Sequence, residues 1–293
     1  FRPVWLAASE RPEGRLYTEA ATWRLGGRAP AATTGKHVEP CTPGKGPRLV
    51  FSALDAKAAG DLEPAFAAAG HLVVSNARSF RMMDDVPLLI PEINPDHLAL
   101  VQIQRRDRGW RGAIVTNPNC SVVALAMALA PLRAFGIRSV LTTTMQAISG
   151  AGYPGVPSFD IIGNLIPEIG GGEEEKIETE ANKILGTLTG EKVIPHPAVV
   201  SAHTNRVAVV DGHTLTVSVS MEAKPSVEEV ARAMRTWRGR PQILRLPSAP
   251  EFPVEVLDEP YRPQPRLDAD RGAGMTVSVG RIRPCPVLGT RFV

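Results

Sequence analysis

Along the first third of the chain, short apolar runs alternate with helical or loop segments: Val4-Trp5-Leu6-Ala7-Ala8, Arg48-Leu49-Val50-Phe51-Ser52 and His71-Leu72-Val73-Val74-Ser75. Unbroken apolar runs of this length read as parallel strands buried on both faces. Leu54 to Ala69 is rich in alanine with helical spacing, so the region predicts strand, helix, strand. Each run ends in a small polar group, at Ser9, Ser52 and Ser75-Asn76. Ligands of open α/β sheets bind beyond such carboxyl ends, which predicts a nucleotide-binding domain over residues 1–119.

After residue 119 the periodicity changes. Asn117-Pro118 reads as a turn and Asn119 as the N-cap of a helix from Cys120 to about Phe135. Longer alternating strands are predicted at Arg138 to Ile148, Thr214 to Met221 and Met275 to Ile282. In the second, Leu215, Val217, Val219 and Met221 share one face and Thr214, Thr216, Ser218 and Ser220 the other. One buried and one polar face predicts a mixed or antiparallel sheet. Two helices interrupt it: Glu173 to Leu185, acidic in its first turn, and Val227 to Trp237, opened by a capping box at Ser226. The proline-rich stretch from Pro241 to Pro265 is expected to be a surface excursion or a connection. The fold class predicted is α/β: a Rossmann-like doubly wound domain, then an α+β domain with a mixed sheet over residues 120–293.

At 293 residues, 43% apolar and 22% charged, the chain has the size and composition of a two-domain soluble protein. A net charge of +3 from scattered basic residues, with no aromatic and basic interleaving, argues against nucleic acid as a partner. Cys41, Cys120 and Cys285 lack metal spacing, and no signal peptide or long apolar span is visible. A reducing, cytoplasmic setting is the expectation, with no metal and no membrane.

Three features can carry chemistry. Cys120 falls in the first turn of its helix, where unpaired N–H groups and the dipole favour a thiolate nucleophile. A buried structural cysteine is the other reading. Gln146 ends a strand before the turn Ser149-Gly150-Ala151-Gly152, and is either a substrate-orienting amide or a satisfied loop side chain. Arg206 and His213 flank two strand-like runs around Asp211-Gly212, so a hairpin is expected to bring them to one end of a sheet. An arginine fork suits a carboxylate and an imidazole suits proton transfer, although each residue alone also fits a purely structural place.

Together these motifs resemble the archaeal and fungal branch of the aspartate-β-semialdehyde dehydrogenase family. The resemblance rests on Ser75-Asn76-Ala77 with Arg81-Met82, Asn117-Pro118-Asn119-Cys120-Ser121, Gln146 through Gly152, Gly172-Glu173-Glu174-Glu175-Lys176, and Asn205-Arg206-Val207 through Asp211-Gly212-His213. It implies that Cys120 attacks the aldehyde, that the thiohemiacetal yields hydride to nicotinamide, and that phosphate cleaves the resulting thioester. His213 is then the acid/base group and Gln146 orients the substrate. Arg206 takes the α-carboxylate, Glu173 the amino group, and Lys176 an anion. Arg81 and Asn119 bind inorganic phosphate. NADP is the implied cofactor, with Ser9, Arg11, Arg15, Ser52, Asn76, Ser149 and Gly150 as its contacts. An arginine suits the 2′-phosphate, while Glu10 keeps NAD open. The resemblance also implies a role in aspartate-family amino acid biosynthesis and a homodimer or homotetramer.

The sequence departs from the family at both ends. No Gly-x-x-Gly-x-x-Gly turn precedes Val4, and the family continues beyond Val293. The expectation is an incomplete Rossmann-like domain, in a chain that is either a piece of a complete enzyme or a fragment binding nicotinamide weakly. Within enzymes, acyl-thioester reductases such as malonyl-CoA reductase and N-acetyl-glutamyl-phosphate reductase are the alternatives. Glyceraldehyde-3-phosphate dehydrogenase fits Asn119-Cys120-Ser121-Val122-Val123 less well. Outside enzymes, the alternative is an assembly protein that has kept the scaffold.

Overall fold

Leu49–Ser52, Leu72–Ser75 and Ala113–Thr116 form a parallel three-stranded sheet, with Ser52, Ser75 and Thr116 in register at its carboxyl end. The computed structural model describes residues 2–8 and 14–293. It divides into two units, residues 1–87 with 99–116, and residues 88–98 with 117–293. In the first unit the helix Ala56–Ala69 joins the first two strands. Asp55 starts it by accepting the N–H groups of Lys57 and Ala58. Phe66 and Ala67 of that helix share a core with Val73, Phe80, Val86 and Ile114.

Two expectations for this unit change. The run Val4 to Ala8 does not join the sheet: only Ala7–Ala8 is strand, and it pairs with Glu39–Pro40 in a separate parallel ladder. Val4 is exposed, so the apolar run is not buried on both faces as its composition suggested. Conversely, Ala113–Thr116 supplies the sheet's third strand, buried along its whole length.

The second unit is built on a mixed sheet whose order is Arg283–Cys285, Gly289–Phe292, Thr214–Met221, Ile137–Gln146, Val199–Arg206, Ile166–Pro167. Val199–Arg206 runs parallel to Ile137–Gln146, and Thr214–Met221 runs antiparallel to it on the other side. The alternation read from sequence holds: Leu215, Val217, Val219 and Met221 are buried, while the intervening Thr and Ser residues are not. Full burial of such a side chain contributes about 1.5–3 kcal/mol, so the register of this strand is strongly fixed. Leu125 and Leu129 of the helix Cys120–Leu129, and Ile177 and Ile184 of the helix Glu173–Ile184, pack in the same core as that face. The α-helix ends at Leu129 rather than Phe135. Pro131 has no N–H to continue it, and Ala130–Phe135 tightens into a 3-10 helix.

The connection after Arg206 is not the expected hairpin. The strands Val199–Arg206 and Thr214–Met221 lie on opposite sides of Ile137–Gln146, and their link crosses its end. There Val209 and Val210 accept the N–H groups of Ile148 and Ser149. Val277–Gly280 also lies outside the main sheet, pairing in parallel with Val254–Leu257 from the proline-rich stretch. Among the described residues no helix is long and apolar enough to cross a membrane, and no group of three or more side chains suits a metal ion.

Candidate active site

The sheet topology decides which residues meet. Arg206 and Gln146 are register partners at the carboxyl ends of parallel strands, and His213 directly precedes Thr214, the partner of Met145. A parallel pair flanked by an antiparallel strand therefore puts Gln146, Arg206 and His213 at one end of the sheet. The same end carries Gly150, where an added Cβ would sit 2.8 Å from Arg206 Nη1 and 2.9 Å from His213 Cε1, so any larger residue would have to displace one of those two groups.

Cys120 comes to this place from the helix side. Asn119 caps its helix, its Oδ1 accepting the N–H groups of Ser121 at 3.0 Å and Val122 at 3.4 Å. Cys120 Sγ lies 3.1 Å from His213 Nε2. His213 Nδ1 accepts the Ala147 N–H at 3.0 Å. An amide N–H can only donate, so this hydrogen-bond pattern assigns the neutral ring's proton to Nε2, facing the sulfur. Partial burial, then the charge of Arg206, push the imidazolium below its ordinary range, against a weaker opposing pull from Glu173.

The expected resting thiolate is corrected. Desolvation first, and the negative charge of Glu173 second, push the Cys120 thiol above its ordinary value. The N–H groups of Ser121 and Cys120 and the charge of Arg206 favour the thiolate, as the helix-terminus argument requires, but do not prevail. As a whole residue Cys120 is exposed, so the desolvation belongs to the sulfur's immediate packing rather than to a sealed core.

Glu173 opens its own helix, and its two oxygens are held apart: Lys176 Nζ lies 2.6 Å from Oε1 and Asn119 Nδ2 donates to Oε2 at 2.8 Å. Burial alone would raise this carboxyl. The hydrogen bonds from Lys176 and Asn119, with the Lys176 charge and Gln146, outweigh it and keep Glu173 ionised below the usual range. Gln146 is buried, and its Nε2 donates to Thr144 Oγ1 at 3.4 Å. Arg206 is also buried, and among the described residues its guanidinium makes one hydrogen bond, to Ala147 O at 2.7 Å. Most of its planar fork is left for an anion. An incoming ammonium group would compete with Lys176 for Glu173, and a displaced Lys176 could then meet an anion.

Sequence reasoning passed over Glu180. Its Oε2 accepts the N–H of Asn119 at 2.7 Å, and the residue is 2% exposed. The signal was present: seven residues after Glu173, it repeats the same helical face.

Ser149 is held in the turn beside Gly150 by the 209–210 backbone. In the first unit, Arg81 is buried and donates from Nη2 to Asn76 O at 2.9 Å. Arg15 is exposed and donates to Glu19 O. Ser9 and Arg11 lie outside the described residues. Ser52 Oγ is buried at the carboxyl end of the parallel sheet without a hydrogen-bond partner among the described residues. A buried hydroxyl left unpaired there fits a polar ligand, and a nicotinamide dinucleotide fits in kind.

Comparison with known proteins identifies the family. The family model for the semialdehyde dehydrogenase NAD binding domain matches residues 1–101, and that for the semialdehyde dehydrogenase dimerisation domain matches residues 129–293. The chain is 46% identical to the aspartate-semialdehyde dehydrogenase of Archaeoglobus fulgidus, covering 100% of this chain and 84% of that protein. It is 49% identical to the enzyme of the same name from Methanothermobacter thermautotrophicus, covering 97% and 82%. A crystal structure of aspartate semialdehyde dehydrogenase with NADP from Candida albicans superposes with a TM-score of 0.90 at 40% identity, covering 100% and 85%. Shared sequence along nearly the whole length and a shared fold place this chain in the aspartate-semialdehyde dehydrogenase family.

Proposed function

We propose that the protein catalyses the reversible, phosphate-dependent oxidation of aspartate β-semialdehyde to β-aspartyl phosphate with NADP, through a thioester on Cys120. The observation that carries this reading is the 3.1 Å approach of His213 Nε2 to Cys120 Sγ, with Arg206 and Glu173 acting on the same pair. Residues 1–119 serve the cofactor, and residues 120–293 serve catalysis and dimerisation. A homodimer or homotetramer, and a place in the biosynthesis of lysine, threonine and methionine, belong to the same reading.

The semialdehyde carries a carboxylate and an ammonium group, and the second unit offers a guanidinium fork at Arg206 and an ionised carboxylate at Glu173. Those two contacts fix the aldehyde carbon relative to Sγ. As Sγ bonds to the aldehyde carbon the C=O π bond breaks, Nε2–H gives its proton to the carbonyl oxygen and the thiol proton replaces it on Nε2, so the thiohemiacetal forms and the ring ends neutral. His213 is the group through which that oxygen's proton is exchanged. Ser52, Asn76, Arg15, Ser149 and Gly150 are assigned to the dinucleotide, whose nicotinamide when bound accepts hydride from the thiohemiacetal carbon, or returns it in the reductive direction. Arg81 and Asn119 are assigned to inorganic phosphate, which breaks the thioester's C–S bond and returns the sulfur. Lys176, released from Glu173, balances substrate or phosphate charge.

The test is phosphate-dependent reduction of NADP by aspartate semialdehyde, compared with reduction of malonyl-CoA by NADPH. Turnover of the semialdehyde, lost in Cys120→Ser with the fold retained by circular dichroism, is the expected result. Activity with the thioester alone would move the chain to the acyl-CoA reductases.

A further inference from the structure

We propose that Glu180 is a positioning residue for the nucleophile, holding the peptide before Cys120 so that the first N–H groups of the helix stay aimed at the sulfur. This rests on the reading of Cys120 as the nucleophile. Every polar group of Asn119 is engaged. Its side-chain oxygen caps Ser121 and Val122, its carbonyl accepts the Val123 N–H at 3.1 Å, and its amide nitrogen donates to Glu173. Its backbone N–H is taken by Glu180 at 2.7 Å. Pro118, just before it, has no N–H of its own, so the Asn119 N–H held by Glu180 is the first backbone donor available to fix the entry to this helix.

A carboxylate suits the task because it only accepts, and a charge-assisted bond to an amide is short and directional. Its grip also comes from a rigid source. Ile177, Ala181 and Ile184 of the same helix are fully buried in the core of the second unit, so Glu180 cannot follow a drifting Asn119. The two acidic residues thus divide the work. Glu173 holds the Asn119 side chain and acts on the sulfur by its charge, whereas Glu180 holds the backbone.

The experiment compares Glu180→Gln, which keeps an acceptor oxygen, with Glu180→Leu, which removes it, and Glu180→Asp, which withdraws it by one methylene. The readouts are kcat, KM for the semialdehyde, Tm, and the pH profile of Cys120 alkylation by iodoacetamide. For Glu180→Leu, kcat should fall about tenfold or more with KM little changed, and alkylation should move to higher pH, while Glu180→Gln stays within about threefold of the parent. Should the Leu variant fail to fold, the Asp variant must show the same alkylation shift. A lowered Tm with kcat and the alkylation profile unchanged would make Glu180 merely structural and overturn the proposal. Failure of the underlying reading is distinct: Cys120→Ser would then keep the turnover of the parent chain.

Discussion

At the mouth of the Cys120 helix, a thiol and an imidazole that face each other are both held neutral at rest. The imidazole of His213 is disfavoured as a cation by partial burial and by Arg206, and the Ala147 N–H occupies the nitrogen that a second proton would need. A lowered imidazolium value means that the neutral ring persists below the ordinary midpoint of about pH 6.5. Nitrogen-15 NMR of the histidine rings should therefore show His213 as the Nε2-protonated neutral form at pH 7, taking up its second proton only below the ordinary imidazole midpoint. An imidazolium pattern at pH 7 would remove this account. For Cys120 the sign is opposite in charge but equal in outcome: a raised thiol stays protonated at neutral pH and ionises only in alkali. Desolvation is the larger cause, so removing the second cause should give only partial release. Glu173→Gln is expected to speed iodoacetamide alkylation at pH 7 by about three- to tenfold, a pKa unit being worth tenfold in thiolate. An unchanged rate would show that the carboxylate does not act on the sulfur.

Elements, rather than single residues, hold His213 where it is. The turn at Gly212 is backed by the short helix Pro265–Asp268: a Cβ at Gly212 would meet Pro265 Cβ at 3.0 Å and Ala269 Cβ at 3.3 Å. That helix is pinned by Asp268, a buried carboxylate that accepts from Arg262, from Arg271 Nε at 3.0 Å and from the Gln264 N–H at 2.7 Å. Hydrogen bonding from Arg262 above all keeps the Asp268 carboxyl far below the usual range. A depressed acid stabilises the fold above its unfolded value of about 3.9, and that stability is lost as pH falls through the folded value. Asp268→Asn should lower Tm by about 2–4 °C at pH 7, and the gap from the parent should close as the pH is taken well below about 3.9. A gap independent of pH would point to packing rather than charge. The same region marks what sequence could convey. The alternation of Thr214 to Met221, the Asn119 cap and the Ser226 capping box were legible because each depends on neighbours a few residues away. The link from Arg206 to His213 was misread as a hairpin because Ile137–Gln146, the strand between them, lies about sixty residues earlier in the chain. The resting thiolate was misread for a like reason: packing around the sulfur, and then Glu173 from fifty-three positions away, raise the thiol, and no local pattern announces either.

Over the whole molecule, the residues proposed to recognise the semialdehyde all belong to the second unit, and those at the carboxyl end of the parallel sheet belong to the first. If the two sets serve different ligands, single substitutions should separate them kinetically. Arg206→Lys replaces a planar two-pronged donor by a point charge, which satisfies a carboxylate with fewer hydrogen bonds. It should raise KM for the semialdehyde about tenfold or more and leave KM for NADP within about twofold. Ser52→Val buries a methyl where an unpaired hydroxyl now sits, so it removes a contact available to the dinucleotide at little cost to the apo fold. It should raise KM for NADP and weaken the quenching of tryptophan fluorescence by NADPH, with KM for the semialdehyde unchanged. Steady-state kinetics with each ligand varied in turn decides the matter. A Ser52→Val enzyme with the parent's affinity for NADPH would take that hydroxyl out of the cofactor set, and a rise in both constants for Arg206→Lys would mean that its guanidinium shapes more than the carboxylate subsite.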